Sequence, residues 1–182
     1  HSRLFGQYYR RDKGLIMLLS TPLRIALALP ATLWLAPPSW AGDSSGLDPA
    51  LIDQCLADAS TEGEQLDCAG VGQESCLAYA EAEHGDIDPV DRQLNCLDAE
   101  WQVWETRLTE TYDELKAVEE ERGAQGAEAL VTMERGWIAF RDARCAYEGI
   151  FKSDGAVAEV GCKLNETARQ VILLMAYHQE QT

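Results

Sequence analysis

Six cysteines, Cys55, Cys68, Cys76, Cys96, Cys145 and Cys162, are the residues of this sequence with the plainest capacity for covalent chemistry. Two chemistries compete for them. A closed zinc site wants thiolate and imidazole ligands at short, regular spacings. No C-x-x-C pair exists here, and beyond residue 41 the histidines are His84 and His178 alone. An even number of cysteines in an exported chain points instead to disulfides. Cys145 falls near the end of one expected helix and Cys162 near the start of the next. A bridge across the Ser153-Asp154-Gly155 turn is therefore sterically natural. Cys55 and Cys68 flank one short loop and Cys76 and Cys96 another, so sequential pairing is the expectation for both.

Catalytic arrangements do not stand out. A nucleophile needs a base beside it, and with the cysteines bridged, His84 at a helix stop and His178 near the end of the chain supply none. Carboxylate pairs of the glycosidase kind are unavoidable among 31 Asp and Glu, so their presence carries no information. The reading expects no enzyme, no cofactor and no metal. Three polar residues remain as candidates for contact with a partner: Arg141, Asp142 and Asp154. Arg141 lies one turn beyond Trp137, close to an apolar stripe. An arginine so placed caps carbonyls of a neighbouring helix or pairs with a carboxylate such as Glu100, because a half-buried guanidinium needs such partners. Asp154 sits in the turn that the Cys145–Cys162 bridge would brace.

The amino terminus decides the compartment in which these cysteines would oxidise. Met17 is the first methionine, and residues 1–16 are expected to be an over-extended start. From there Arg24, the apolar run Ile25 to Leu35, Pro37-Pro38 and Ser39-Trp40-Ala41 read as the basic, apolar and small-residue parts of a secretory signal over 17–41. The apolar run contains Pro30 and is shorter than the roughly 20 residues that span a bilayer. Cleavage before Gly42 is the expectation, with no cysteine nearby to carry a lipid, hence a periplasmic or secreted protein with no membrane association. The formal net charge is −16, and the first 41 residues hold five of the 15 bases and one of the 31 acids. Ten bases against thirty acids then give the mature chain −20. Such a field repels nucleic acid and anionic lipid and speeds encounter with basic proteins, although it also serves solubility alone.

The elements that would position these groups are helical throughout. Asp48-Pro49 and Asp88-Pro89 each supply an N-cap followed by proline at the first helical position. The first opens a short helix ending near Ser60. Residues 61–72, with three glycines, read as loop, and Gln73 to Glu83 as a second short helix. The second start signal opens the longest helix, with Leu94, Leu97, Trp101, Trp104, Leu108, Thr111, Leu115 and Val118 alternating by three and four. Gly123 ends it and Gly126 keeps the connection loose. A helix from about Ala127 to Phe151 follows, with an inward stripe of Leu130, Met133, Trp137, Phe140, Tyr147 and Phe151. Arg144 interrupts the stripe and is placed to pair with Glu148. The last helix runs from about Val157 to His178 on Val160, Leu164, Val171, Leu174 and Met175. No segment alternates as a strand does. The fold class is all-α: an antiparallel, disulfide-stapled helical bundle over 89–182 with a cysteine-rich helical extension over 42–88.

The run from Glu134 through Trp137, Phe140, Arg141-Asp142-Ala143 and Cys145 resembles the central motif of the LprI-like family, small exported bacterial proteins named for a lysozyme inhibitor. Gly155, Cys162, Thr167 and Arg169 are similar to its later positions, and Cys96-Leu97, Glu100, Trp104, Leu108 and Tyr112 to its first helix. Glutamine is usual where Glu134 stands and asparagine where Thr109 stands, and Arg169 follows Thr167 one residue sooner than is common. The resemblance implies a helical envelope protein that binds a protein partner, a basic lysozyme-like enzyme. The alternative is a non-inhibitory interaction module of the periplasm.

Overall fold

The structure, a computed structural model, describes residues 45–181. The proposed signal, its cleavage site and the residues before it lie outside the described residues. Six helices follow in order: α1 Pro49–Asp58, α2 Glu62–Leu66, α3 Gln73–Glu83, α4 Pro89–Arg122, α5 Ala124–Phe151 and α6 Ala156–Gln181. No strand occurs among the described residues. Both start signals act as the sequence indicates. The N–H of Ala50 donates to the Asp48 carboxylate at 3.0 Å and that of Val90 to Asp88 at 2.8 Å, each helix having proline in its first turn.

Residues 61–72 are not all loop. Thr61 accepts from the Glu64 N–H while the Glu64 side chain reaches back to the Thr61 N–H, and this capping box starts α2. Gly126, expected in a loose connection, is helical as well. Only Gly123 separates α4 from α5, at φ 141° and ψ 154°, a conformation that essentially only glycine adopts without strain. Nothing lies within 4 Å of where a Cβ would stand, so the requirement is purely conformational. Gly123→Ala is expected to destabilise the protein by about 1–3 kcal/mol, seen as an earlier urea midpoint with an unchanged slope.

The helices run up, down and up. Glu105 and Tyr112 of α4 face Arg141 and Glu134 of α5 in reverse order, and Glu134 and Cys145 of α5 face Gln170 and Cys162 of α6 likewise. Sequence neighbours are thus antiparallel, and α4 and α6 run the same way. Helix α6 is the central strut, with eleven buried residues against six on α4 and five on α5. Its Leu164, Ala168, Val171 and Leu174 meet Trp104, Leu108 and Leu115 of α4 and Leu130 of α5. Ile52 of α1 and Cys68 join the same cluster, so the cysteine-rich extension shares the core of the bundle. Helix α3 is sealed on α4 by Leu47, Cys76, Ala80 and Cys96.

The expected inward stripe of α5 holds for Leu130, Met133 and Trp137, which pack on the core, and fails in its later part. The buried residues of the helix are Ala127, Leu130, Glu134, Arg141 and Cys145, with Trp137 half-buried beside them. Phe140, Tyr147 and Phe151, expected in the core, are instead exposed by 56%, 64% and 73%. The Cys145–Cys162 bridge and the ionic partners of Arg141 pull one face inward. Phe140, one residue or about 100° round the helix from Arg141, is carried outward.

Candidate functional site: the α5 motif and the α5–α6 turn

Three helices converge on Arg141. Its guanidinium donates to Glu105 of α4 at 2.5 Å, to Thr167 of α6 at 3.3 Å and to its neighbour Asp142 at 3.0 Å. It also lies over the rings of Trp137 and Trp101, 4.9 and 5.8 Å from their centroids. One oxygen of Glu105 gathers three donors, because the Thr167 hydroxyl donates to it at 3.0 Å and the Trp101 indole N–H at 3.1 Å. The partner is Glu105 and not Glu100, the carboxylate expected from the sequence. Glu105 lies one helical turn beyond Trp101 and so faces the same junction. Glu100 is turned towards the extension, where it accepts from the Gly70 N–H, Gln73 and the Trp104 indole.

The side chains of this cluster are engaged with one another. Thr167 is fully buried, so its hydroxyl meets no substrate, and the donors to Glu105 converge on one oxygen of a half-buried carboxylate. Among the described residues the one buried side-chain polar atom without a partner is Oε1 of Gln181, at the end of α6. No group of three or more His, Cys, Asp or Glu among them could hold a metal ion. A groove of about 290 Å³ between α1, α4 and α6 is lined by Leu56, Thr111, Val171 and Met175 with Arg107 on its wall. Arg107 is already engaged by Asp53 and the Pro49 carbonyl. The motif builds a clasp.

A second polar pair sits two turns earlier on α5. Glu134 is buried and accepts from the Gln170 amide. Burial pushes its carboxyl above the ordinary carboxylate range, and the Gln170 hydrogen bond offsets this only in part. Tyr112 of α4 faces the same site, its hydroxyl raised by burial first and by the Glu134 charge among smaller causes. A carboxylate raised in the folded state costs stability once pH exceeds its unfolded value, and the full cost stands above its folded value. Glu134→Gln is therefore expected to stabilise the protein near pH 7 by about 1 kcal/mol. That advantage should shrink as pH falls and vanish below the ordinary carboxylate range, which melting temperatures of both proteins across pH 3–8 would reveal.

Of the three partner candidates, Arg141 and Asp142 stand together and Asp154 apart. Arg141 is only 7% exposed, whereas Asp142 shows half of its side chain to solvent. Asp154 follows the end of α5, about 14 Å of helix beyond Asp142 at 1.5 Å per residue. It is exposed. The turn reverses at Gly155, φ 46°, and is braced by Cys145–Cys162, whose Cα atoms are 5.4 Å apart. The other bridges, Cys55–Cys68 and Cys76–Cys96, tie the extension to itself and to α4. What sequence reasoning missed is the exposed apolar character of this end of the molecule: Tyr147, Ile150 and Phe151 around the turn. The only sequence signal was the conflict between that stripe and the Arg141–Cys145 face.

Three disulfides and an interhelical polar clasp on a core that is helical throughout the described residues define the class: a stapled helical-bundle protein of the exported kind. The family model described as "Lysozyme inhibitor LprI" matches residues 87–174, and this segment is similar to that family. The chain is also 27% identical over 176 residues to an "Uncharacterized 17.7 kDa protein in puhA 5'region" of Rhodobacter capsulatus, covering 87% of this chain and 95% of that one. No solved structure matches. No helix of the described residues is long and apolar enough to cross a membrane.

Proposed function

We propose that this is a periplasmic or secreted binding protein that captures a basic lytic enzyme of the lysozyme type and catalyses nothing. The observation that carries the reading is the match to a lysozyme-inhibitor family over a domain whose motif side chains are engaged with one another. Such a motif holds three helices in register and leaves recognition to the surface. Arg141 and Asp142 act as positioning residues, and Asp154 is the polar contact, held on a braced turn that loses little freedom on binding. The acidic field accelerates encounter with a basic enzyme and makes the encounter sensitive to salt.

The test is calorimetric titration of the purified, oxidised protein into hen egg-white lysozyme at 25 and 150 mM salt. Saturable binding at both, weakened about tenfold by Asp154→Asn, is the expected result. Binding that vanishes at the higher salt would mean charge attraction alone. No binding at either would leave an envelope interaction module with a different partner.

A further inference from the structure

Charge and apolar surface are segregated along this chain. Residues 45–105 hold fifteen acids and one base, Arg92, which is itself buried against Glu81 and the Ile87 carbonyl. Residues 134–181 hold seven acids and six bases, close to balance. The balance is local as well. Arg144 is taken by Glu148 and Glu166, Lys152 by Glu148, and Lys163 by Glu159. On this charge-cancelled end stand the largest exposed apolar side chains of the described chain. Ile150 is 86% exposed, next to Tyr147 and Phe151, whose rings stack at 5.9 Å and 9°. Phe140 lies on the same stripe, two turns before Tyr147, and exposed Asp154 stands at its end, its carboxylate without a hydrogen bond or ion pair among the described residues. Clustered exposed apolar side chains of this size mark contact surfaces, and stacked aromatics on a braced helix are the usual energetic anchors of one.

We infer that the carboxyl-terminal half of α5 is the docking surface for a basic protein, with Tyr147, Ile150 and Phe151 as apolar anchors and Asp154 as the carboxylate that meets a cation. The inference rests on the binding reading above and adds the surface to it. A basic partner fits because Arg144, Lys152 and Lys163 beside the stripe are each neutralised by a neighbouring carboxylate, and Asp154 is the charge left over among the described residues there. The acidic half formed by α1 to α3 and the first turns of α4 attracts the partner without being the place where it docks. Steering and anchoring thereby fall on different residues, and they separate kinetically. Long-range charge sets the association rate, and buried anchors set the dissociation rate.

Stopped-flow or biosensor kinetics with hen egg-white lysozyme test this. Tyr147→Ala/Phe151→Ala is expected to raise the dissociation rate at least tenfold, leaving the association rate and its salt dependence as in the wild type. Glu74→Gln/Glu83→Gln/Asp86→Asn is expected to do the reverse: slower association, a flatter salt dependence and unchanged dissociation. All of these residues are exposed, so helical content and melting temperature should stay at wild-type values in both variants. Wild-type binding with unaltered dissociation from the Tyr147/Phe151 variant would overturn the surface and leave the binding reading standing. Absence of wild-type binding would remove both. A concentration-dependent dimer of the wild type, lost in the Tyr147/Phe151 variant and unaccompanied by lysozyme binding, would give the surface to a second copy of the chain and overturn the inference.

Discussion

Arg141→Ala should be the most damaging single substitution in the motif, lowering stability by about 3–5 kcal/mol, the usual cost of stripping one partner from a buried ion pair. Glu105 would lose the strongest of its three donors, and Trp101 and Trp137 would face an empty space where the guanidinium lay. Arg141→Lys should recover only part of the loss. An ammonium can reach Glu105 but cannot hold Glu105, Thr167 and Asp142 at once as the planar fork does. Arg141→Met with Glu105→Gln should recover more than either single change suggests, because no buried charge is then left without its counterpart. Urea unfolding of the four proteins gives the ordering directly. If Arg141→Ala costs under 1 kcal/mol, the three-helix clasp does not hold the bundle, and the arginine's place in the motif needs another reason.

Glu100→Ala should cost about 3 kcal/mol or more, on the scale of 1–3 kcal/mol for each buried donor left unpaired. Glu100 is wholly buried and accepts at 2.7 Å from both the Gly70 N–H and Gln73, with the Trp104 indole at 3.5 Å. It is the polar latch between the extension and α4. The covalent latch, Cys76–Cys96, holds α3 and would survive. The damage should therefore concentrate in the α2–α3 connection, and amide exchange at residues 66–72 should accelerate before exchange in α4 or α6 changes. Glu100→Gln keeps an acceptor for Gly70 but turns an amide N–H₂ towards that of Gln73, so it should lie between the two. Uniform acceleration over the whole chain would mean that Glu100 supports the core generally and does not latch the extension.

These two carboxylates also show where sequence reasoning ran out. Helix limits set by local chemistry were legible: Asp48-Pro49, Asp88-Pro89 and Gly123 act within one turn of themselves. The small helix α2 was obscured because Gly63, Gly70 and Gly72 outweighed a capping box, Thr61 to Glu64, that was readable in the same residues. The later part of the α5 face was misjudged for a deeper reason. Periodicity ranks side chains by hydrophobicity, and Phe140, Tyr147 and Phe151 outrank Arg141 and Cys145. A covalent bridge and a multiply bonded guanidinium nevertheless decide which way the helix turns. The partner of Arg141 lies 36 residues away on another helix, a relation that only the packed register of α4 against α5 creates. The bridges, by contrast, join cysteines 13, 20 and 17 residues apart, each across a short helical turn or connection, which is why adjacency in sequence was informative. Of the candidate contact residues, Asp154 was legible as a turn residue, while the apolar anchors beside it were hidden by being assigned to the core.

The measurement that bears most directly on the central claim is the rate at which hen egg-white lysozyme clears a suspension of bacterial cell walls as the oxidised protein is titrated in at 150 mM salt. An inhibitor that binds through a braced, apolar surface should bring lysis to a halt near equimolar addition and keep it there as salt is raised further. Reduction of the three disulfides should restore lysis. Undiminished clearing at a tenfold excess of the oxidised protein would contradict the account.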